Sequence, residues 1–379
     1  MSSNCYQDDI NRVVNANSIY IYGAGRVAES VVHCLINEPF SKKIEAFVVS
    51  SIDEEADNNS GIYDIPIIAC DNIDAGIPIL IAVMEKYRDE IIDTLKNQGI
   101  DDAIVCTFES GLWGELRKTA YKYDEEQQGR NVISVRDDIT SNDNVQDAIT
   151  EGAVPTIYIA KSSIDRPLKQ TIIDKPWEHD IQVGAALTED RISDITDDTG
   201  DNISTTNRQY CEMTALYWVW KNTSEDYIGL SHYRRRFDLT EDEIRYAIAA
   251  GYDLVVTYPL VNYPDVGSLY SVLHSSDDWS VFREAVRYVS PDYMDAFAEF
   301  ESGKYYIPYN MMIIKRELLD AYCEWAFAVY EYCVSHFKKK EDKYQRRDIG
   351  FLSERVMTLY LIKHRDEIKI AYADKVFYE

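Results

Sequence analysis

Residues 226–238 read Asp226-Tyr-Ile-Gly-Leu-Ser-His-Tyr-Arg-Arg-Arg-Phe-Asp238, an apolar strand pattern that runs directly into a histidine, a tyrosine and three consecutive arginines. In an open α/β sheet, ligands bind outside the carboxyl ends of the strands. Guanidinium groups at such an end suit a phosphate or pyrophosphate, because each one donates two parallel hydrogen bonds. The stretch therefore predicts an α/β fold with an anion site for a nucleotide-linked substrate.

The composition is that of an ordinary globular chain. With 379 residues, of which 46% are hydrophobic, two domains are expected. The net charge of -27 argues against a protein that coats nucleic acid, because duplex binding depends on basic side chains that neutralise phosphates. Seven scattered cysteines without CxxC spacing indicate small core residues in a reducing compartment. No apolar stretch approaches the ~20 residues that span a bilayer, so we expect a soluble, cytoplasmic protein.

The first part of the chain has the pattern strand, glycine turn, helix. Ser18 to Tyr22 reads as a strand, Gly23-Ala-Gly25 as the turn, and a second strand ends near Asp53, where a Rossmann unit places its ribose-binding acid. We predict a Rossmann-like parallel-sheet domain over residues 1–125, with Gly23, Gly25 and Asp53 as a candidate second nucleotide site for NAD(P). The alternative is that the glycines only make the turn, since such motif matches carry a real false-positive risk.

Polarity rises and hydrophobic periodicity falls after Tyr123. Residues 126–154 are therefore predicted to form a linker, followed by a second α/β domain over 155–379. In that domain, a polar turn cluster precedes an apolar helix, and its polar side chains are candidates for gripping a ribose or a base edge. They are Asp201, Asn202, Asn207 and Glu212. For Asp201 and Asn202, the alternative is a turn or a helix cap.

Four ordered stretches resemble the HYRR-motif family, which is catalogued as a domain of unknown function and is found in bacterial capsular, exopolysaccharide and O-antigen gene clusters. The stretches are Asp198-Thr-Gly-Asp-Asn-Ile-Ser204, Glu212-Met-Thr-Ala-Leu-Tyr-Trp-Val-Trp-Lys-Asn222, Tyr227-Ile-Gly-Leu-Ser-His-Tyr-Arg-Arg235 and Tyr309-Asn-Met-Met-Ile-Ile-Lys-Arg316. The resemblance covers residues 156–365, and the family is regarded as a set of GT-A-like glycosyltransferases. The first unit resembles the small Rossmann-like domain often attached to polysaccharide-biosynthesis enzymes.

The resemblance implies a C-terminal GT-A-like domain that binds a nucleotide sugar and acts as a hexosyltransferase. It would move a hexose, such as galactose or galactofuranose, from a UDP-sugar to a capsular polysaccharide, exopolysaccharide or O-antigen acceptor. Many GT-A enzymes end a strand in two acids, spaced by one residue, that hold a divalent metal. That strand here ends without such acids. We therefore predict donor binding by His232, Tyr233, Arg234 and Arg235 with no metal required, and a divalent ion such as Mn as the alternative.

Three further sets of residues are predicted to serve this site. Asp278 is the first candidate for the catalytic base and His274 the second, because an inverting transfer needs a carboxylate or histidine within hydrogen-bond reach of the acceptor hydroxyl. The alternative is a helix cap and a histidine against solvent or core. Asn310 is a candidate for binding a donor-sugar hydroxyl, or else a turn residue. Glu354 and Arg355 are acceptor-side or structural residues.

Basic residues concentrate near the end of this acidic chain. Lys338, Lys339, Lys340, Arg346 and Arg347 are predicted to contact an anionic membrane leaflet, at the inner face of the plasma membrane, or the diphosphate of a lipid-linked oligosaccharide acceptor. The alternative is a solvated loop that balances local acids.

Two other functions stay open at this point. One is an NAD(P)-dependent sugar-nucleotide oxidoreductase or epimerase centred on the first unit, although no Tyr-x-x-x-Lys pair lies near the glycine turn. The other is a non-catalytic scaffold that binds sugar nucleotides within a polysaccharide assembly complex.

Overall fold

A computed structural model of the chain describes residues 6–52, 62–74, 76–142 and 145–379. The chain divides into two compact units, Met1–Asn131 and Val132–Glu379. Both units are α/β, as predicted, and each is described by itself below.

The first unit is built on a five-stranded parallel sheet in the order β3-β2-β1-β4-β5. Its central strands β1 and β4 are buried on both faces, which is typical of parallel sheets covered by helices. The elements in chain order are α1 (Gln7–Asn15), β1 (Ser18–Tyr22), α2 (Arg26–Ile36), β2 (Lys43–Val49), β3 (Ile67–Ala69), β4 (Ile79–Ile81), α3 (Arg88–Asn97), β5 (Ile104–Val105) and α4 (Gly111–Gln127).

The two glycines after β1 differ in what they do. Gly23 has a φ of 115°, and a Cβ there would lie 2.8 Å from the carbonyl oxygen of Ala82. This glycine is therefore required by the close approach of the turn to the chain that follows β4. Gly25 precedes α2, and a Cβ there would meet nothing within 4 Å. Asp53 lies outside the described residues, so the second nucleotide site stays a prediction.

Two helices form within the described residues of the stretch 126–154, which is predicted as a linker. After the end of α4 come α5 (Val135–Ser141) and α6 (Val145–Glu151), which belong to the second unit. Val135 lies in the core of that unit, and Ile139 and Ile149 pack against it. Asp138 accepts hydrogen bonds from the hydroxyls of Tyr246 (2.9 Å) and Tyr252 (2.6 Å). The boundary along the chain therefore falls between residues 131 and 132, because the apolar residues in this polar stretch pack on the core of the second unit.

The second unit surrounds a mixed sheet with the main order β15-β11-β14-β9-β6-β7-β8, and β10 pairs with β9 and β16 beside it. Its elements are β6 (Thr156–Lys161), β7 (Glu178–Gln182), β8 (Ile195–Thr196), α7 (Asn207–Tyr210), α8 (Met213–Asn222), β9 (Tyr227–His232), β10 (Arg235–Phe237), α9 (Glu241–Ala249), β11 (Leu254–Thr257), β12 (Leu260–Val261), α10 (Val266–Leu273), α11 (Ser276–Val289), α12 (Met294–Glu301), β13 (Tyr305–Tyr306), β14 (Met312–Lys315), α13 (Arg316–His336), α14 (Asp348–Lys363), β15 (Ile370–Ala373) and β16 (Lys375–Phe377). Within the described residues, none of the helices is long and apolar enough to cross a membrane.

Several strands of this sheet end, or begin, at the same edge. β6, β7, β8 and β9 are mutually parallel, whereas β14 runs antiparallel to β9 and β11 and so begins at the edge where they end. The chain moves from β6 to β7 and β8 on one side, and then returns to place β9 on the other side. The carboxyl ends of β6 and β9 therefore flank a topological switch point, where α/β sheets form their ligand crevice.

A buried ion pair fastens β10 to β7. Arg236 is 2% exposed, and its Nη1 lies 2.9 Å from Oε2 of Glu178, which is also buried. Its Nη2 donates to Asp174 at 3.0 Å. The third arginine of the consecutive run therefore has a structural role.

We predict that Arg236→Ala destabilises the protein by about 3 kcal/mol or more, because removing one partner of a buried pair leaves an uncompensated charge. Urea denaturation followed by circular dichroism measures this loss. Lys338→Ala removes one side of an exposed pair with Asp277 and should leave the midpoint nearly unchanged. Equal midpoints for the two variants would contradict this assignment.

Candidate active site at the carboxyl edge of the second sheet

The sequence His232-Tyr233-Arg234-Arg235 forms a tight hairpin. Arg235 pairs with His232 across the antiparallel strands β9 and β10, so Tyr233 and Arg234 are the two residues of the turn. The amide of Tyr233 donates to the carbonyl oxygen of Ala160 in β6 at 3.1 Å. We call residues 232–235 the arginine hairpin. It holds its side chains at the edge of the sheet, beside the switch point.

Aromatic rings support both arginines of the hairpin. The guanidinium carbon of Arg235 lies 4.5 Å from the centre of the Tyr309 ring and 5.3 Å from that of Phe377. The guanidinium carbon of Arg234 lies 5.0 Å from the centre of the Phe377 ring. Such cation–π contacts orient a guanidinium group. The side chains of both arginines are therefore held in defined positions at this edge of the sheet.

A cavity of about 250 Å³ opens between the carboxyl ends of β6 and β9. Burial raises the pKa of Asp165 in its wall, and the Ser162 amide and the charges of Arg234 and Arg347 oppose this shift. The backbone N–H of Ser162 donates to Asp165 at 2.7 Å. Sequence reasoning missed Asp165, although it lies four residues after β6. The lining residues are Lys161, Ser162, Asp165, Leu168, Ile172, Asp174, Ile192, Tyr233 and Arg236.

His232 is held as a neutral imidazole. Its Nε2 hydrogen-bonds the carbonyl oxygen of Tyr309, and because a carbonyl can only accept, Nε2 carries the hydrogen and Nδ1 the lone pair. Burial lowers the pKa of His232, Arg235 adds to this effect, and Glu212 opposes it. Oε1 of Glu212 lies 3.9 Å from Nε2. A neutral imidazole and a carboxylate thus lie side by side next to the hairpin.

Asn310 positions Glu212. Its Nδ2 donates to Oε1 of Glu212 at 2.7 Å and to Oγ of Ser353 at 2.9 Å. Asn310 is 4% exposed, so its amide serves the carboxylate beside it. Tyr309 and Asn310 both have left-handed backbone conformations, with φ of 75° and 50°. Non-glycine residues in this region cost of order 1–3 kcal/mol each, and they cluster at functional sites.

Glu354 and Arg355 support this turn from α14. The backbone N–H of Tyr309 donates to Oε1 of Glu354 at 2.7 Å, and Nη1 of Arg355 donates to Oε2 at 2.8 Å. Burial raises the pKa of Glu354. Arg355 is 3% exposed, and its guanidinium lies over the ring of Tyr306, 4.0 Å from the centroid. Of the two predicted roles, the contacts favour the structural one.

The contacts described for the two predicted bases do not include the arginine hairpin. Asp278 is 2% exposed and forms an ion pair with Nζ of Lys340 at 2.9 Å, while the same ammonium pairs with Asp348 at 2.6 Å. His274 stacks on Phe351 with 4.1 Å between ring centres, and burial lowers its pKa to about 4. The burial of Asp278 and its ion pair with Lys340 weigh against the role of catalytic base, because a base must approach the acceptor hydroxyl within hydrogen-bond distance. The sequence shows acids in a first helical turn but does not show which way they face.

The polar turn before α8 also separates from the hairpin. Asp201 accepts a hydrogen bond from the hydroxyl of Tyr217 at 3.2 Å. Its backbone N–H and carbonyl oxygen both hydrogen-bond the side chain of Asn222, at the C-terminal end of α8. Glu212 directly precedes the other end of α8, so it lies about 15 Å from Asn222 along the helix axis, at 1.5 Å per residue. Asn202 accepts from the amide of Ser204 at 3.2 Å and completes the turn. For Asp201 and Asn202 the structure therefore favours the alternative of a turn.

Asn207 and the buried Asp197 organise the start of α8. Nδ2 of Asn207 donates to the carbonyl oxygen of Cys211 at 2.8 Å and to Oγ1 of Thr214 at 3.0 Å. Asp197 is fully buried and accepts from the amide of Gly184 at 2.8 Å and from Thr214 at 2.6 Å, among other donors. Sequence reasoning missed Asp197. The sequence signal that could have identified it is an acid directly after the last residue of β8.

The basic run near the end of the chain is not one exposed patch. Lys338 pairs with Asp277 at 2.6 Å, and the side chain of Lys340 is only 13% exposed. Arg346 donates to two carbonyl oxygens of its own segment. Arg347 turns to Cys211, with 3.2 Å between Nε and Sγ. These contacts weigh against the predicted membrane contact. Among the described residues, no group of three or more His, Cys, Asp or Glu side chains is arranged to hold a metal ion.

We predict that His274 makes stability depend on pH. Its folded-state pKa of about 4 lies below the ~6.5 of an unfolded histidine, so the unfolded state gains a proton first as pH falls. Wild type should therefore lose stability between pH 6.5 and pH 4. His274→Phe removes this titration, so the free energy of unfolding of this variant should fall by about 3 kcal/mol less over that pH window than that of wild type, at 1.36 kcal/mol per pKa unit. Urea denaturation at both pH values checks this, and equal losses would contradict it.

A solved structure has a similar fold. The apo structure of the WbbM bifunctional glycosyltransferase aligns with 59% of this chain at a TM-score of 0.54 and 24% sequence identity. The aligned region is 45% of that protein, so this chain spans less than half of its length. At this identity the likeness shows the fold alone. No curated protein matches the sequence.

A family model matches residues 166–365, which is more than half of the 379 residues. The matched region includes the arginine hairpin, Glu212, Asn310 and α14. The chain belongs to the family described as a domain of unknown function, DUF4422.

Proposed function

We propose that the second unit is a glycosyltransferase that takes a hexose from a nucleoside diphosphate donor, most simply a UDP-hexose. The acceptor would be a bacterial surface glycan, either free or lipid-linked, as the sequence resemblance implies. One observation carries the proposal, namely that the arginine hairpin borders a cavity at the switch point of the sheet. The fold shared with a glycosyltransferase structure supports it. The hexose, such as galactose or galactofuranose, is part of the same proposal.

The donor fits this edge by size and charge. The cavity of about 250 Å³ is near the lower end of ligand pockets, roughly 300 Å³, so it suits the nucleoside portion of a donor. The diphosphate would then lie beside Arg234 and Arg235. As the sugar leaves, negative charge develops on the diphosphate, and charge-assisted hydrogen bonds from guanidinium groups strengthen. Because aromatic rings already hold these arginines, little reorganisation is needed at that moment.

Acceptor activation would fall to the pair formed by Glu212 and His232. Both side chains are mostly buried beside the hairpin, at 14% and 15% exposed. The imidazole is neutral with its lone pair on Nδ1, and the carboxylate is held by Asn310. Either group can accept the proton of a sugar hydroxyl within hydrogen-bond reach. This pair takes the place of Asp278 and His274 in the proposed mechanism.

We expect UDP and UDP-hexoses to raise the melting temperature by mass action. Arg234→Ala and Arg235→Ala should each weaken binding about 10- to 100-fold, the value of a lost charge-assisted hydrogen bond. Calorimetry with the purified protein measures the affinities. Arg245→Ala, on α9, is the matched control and should bind like wild type, because its guanidinium pairs with Glu241 on its own helix. Unchanged binding in both hairpin variants would contradict the proposal.

We further propose that no metal is required, because guanidinium groups stand where many related folds place metal-binding acids. Binding and slow donor hydrolysis should persist in EDTA and change less than about twofold on adding manganese. A strict need for manganese would overturn this. Binding without hydrolysis or transfer would indicate the non-catalytic scaffold. Binding of NAD alone, unaffected by the hairpin variants, would favour the oxidoreductase.

A further inference from the structure

Arg347 lies beside the proposed catalytic pair. Its Nε is 3.2 Å from Sγ of Cys211, the residue that directly precedes Glu212. A Cβ at Gly350 would lie 2.6 Å from the same sulfur, so the first turn of α14 packs directly on this point of the chain. Arg347 therefore approaches Glu212 from the helical side, whereas the arginine hairpin approaches it from the sheet.

The charge of Arg347 acts on the same groups as the hairpin. Burial lowers the pKa of His232, and the charges of Arg235 and Arg347 both add to that effect. At Asp165, in the cavity wall, burial raises the pKa while Arg234 and Arg347 both oppose the rise. The positive charges of Arg347, which directly precedes α14, and of the hairpin thus act on the same two groups, His232 and Asp165. We call the space beside these two groups the cleft.

A buried ion network holds the segment that carries Arg347. Lys340 bridges Asp278 at 2.9 Å and Asp348 at 2.6 Å, and Asp348 also accepts from Nε2 of Gln209 at 2.9 Å. Asp348 is the next residue after Arg347. Breaking such a network leaves buried charges unpaired, which is strongly unfavourable. The backbone of Arg347 is therefore fixed at the cleft.

The direct partner of Arg347 does not neutralise it. Burial raises the pKa of Cys211 to about 12, so the thiol is uncharged at physiological pH. The guanidinium also lies over the ring of Phe351, 5.5 Å from the centroid, which orients it but leaves its charge intact. Burial lowers the pKa of Arg347, while Cys211 and the carboxylate of Glu212 raise it above its usual value, so Glu212 is a charged neighbour of this guanidinium. Because Arg347 is exposed, an anion that arrives from solution can also reach it.

We propose that Arg347 is a third phosphate-binding arginine, which binds the diphosphate of the nucleotide-linked donor from the helical side of the cleft, opposite Arg234 and Arg235. The inference rests on the proposed function. It also gives Lys340 a positioning role, since the ion network of Lys340 sets where Arg347 stands. The diphosphate would then be held between two separate parts of the fold.

The neighbouring arginine supplies a matched control. Arg346 and Arg347 carry the same charge in the same segment, but Arg346 donates to the carbonyl oxygens of Lys340 and Glu341 at 2.8 and 3.0 Å. Calorimetry would compare Arg347→Ala, Arg346→Ala and wild type with inorganic pyrophosphate, UDP and uridine. Arg347→Ala should weaken pyrophosphate and UDP about 10- to 100-fold and leave uridine unchanged, while Arg346→Ala stays within about twofold of wild type.

The outcomes separate this inference from the proposed function. If wild type binds UDP and Arg347→Ala binds it as tightly as Arg346→Ala does, the inference is wrong and the proposed function stands. If wild type binds neither pyrophosphate nor UDP, the proposed function is wrong, and the inference that rests on it is wrong with it. Equal loss of binding to phosphatidylserine vesicles in both variants, with nucleotide affinity intact, would also overturn the inference and favour a membrane contact. Should Arg347→Ala melt earlier than wild type without ligand, Arg347→Met keeps the side-chain stem on Phe351 and repeats the comparison.

Discussion

The position of β6 in the second sheet determines where everything else in the proposed site lies. The chain runs from β6 to β7 on one side of it and later returns to place β9 on the other side. The connections therefore leave a crevice uncovered at the carboxyl ends of these strands. The cavity opens there, and Tyr233 of the arginine hairpin lines it. The antiparallel β14 begins at the same edge and brings Asn310 to Glu212. Side chains that are far apart in sequence thus meet because of strand order alone.

Buried carboxylates hold the surroundings of the cleft in place, each with its own set of donors. Asp197 is fully buried and is met by backbone amides and hydroxyls, without a basic side chain among its described hydrogen bonds. Asp278 and Asp348 share the ammonium of Lys340. Glu354 accepts one backbone and one guanidinium hydrogen bond. Because an unpaired buried charge is so costly, these contacts fix the loops more firmly than surface ion pairs would.

The sequence predicted the fold class and the strand that leads into the hairpin, because apolar runs and glycine turns are local signals. It placed Glu212, His232 and Asn310 in one donor site, where these side chains lie close together, but it did not predict which of the other polar residues meet. Asp278 and Asp165 are both acids near the start of a segment, but only the packing of α13 and α14 encloses Asp278 with Lys340. The polar stretch 126–154 is predicted as a linker because its apolar residues are sparse, yet seven of them lie in the core of the second unit or pack against it. Arg346 and Arg347 are indistinguishable in sequence and differ in what they contact.

The left-handed turn at Tyr309 and Asn310 has a consequence for attempts to improve this protein. Glycine would adopt the backbone of position 310 without strain, so Asn310→Gly would relieve the chain locally. The same change would remove the amide that orients Glu212. The loss of two hydrogen bonds from a buried amide outweighs the backbone strain that glycine relieves. Selection for stability and selection for the proposed activity therefore both retain asparagine at position 310.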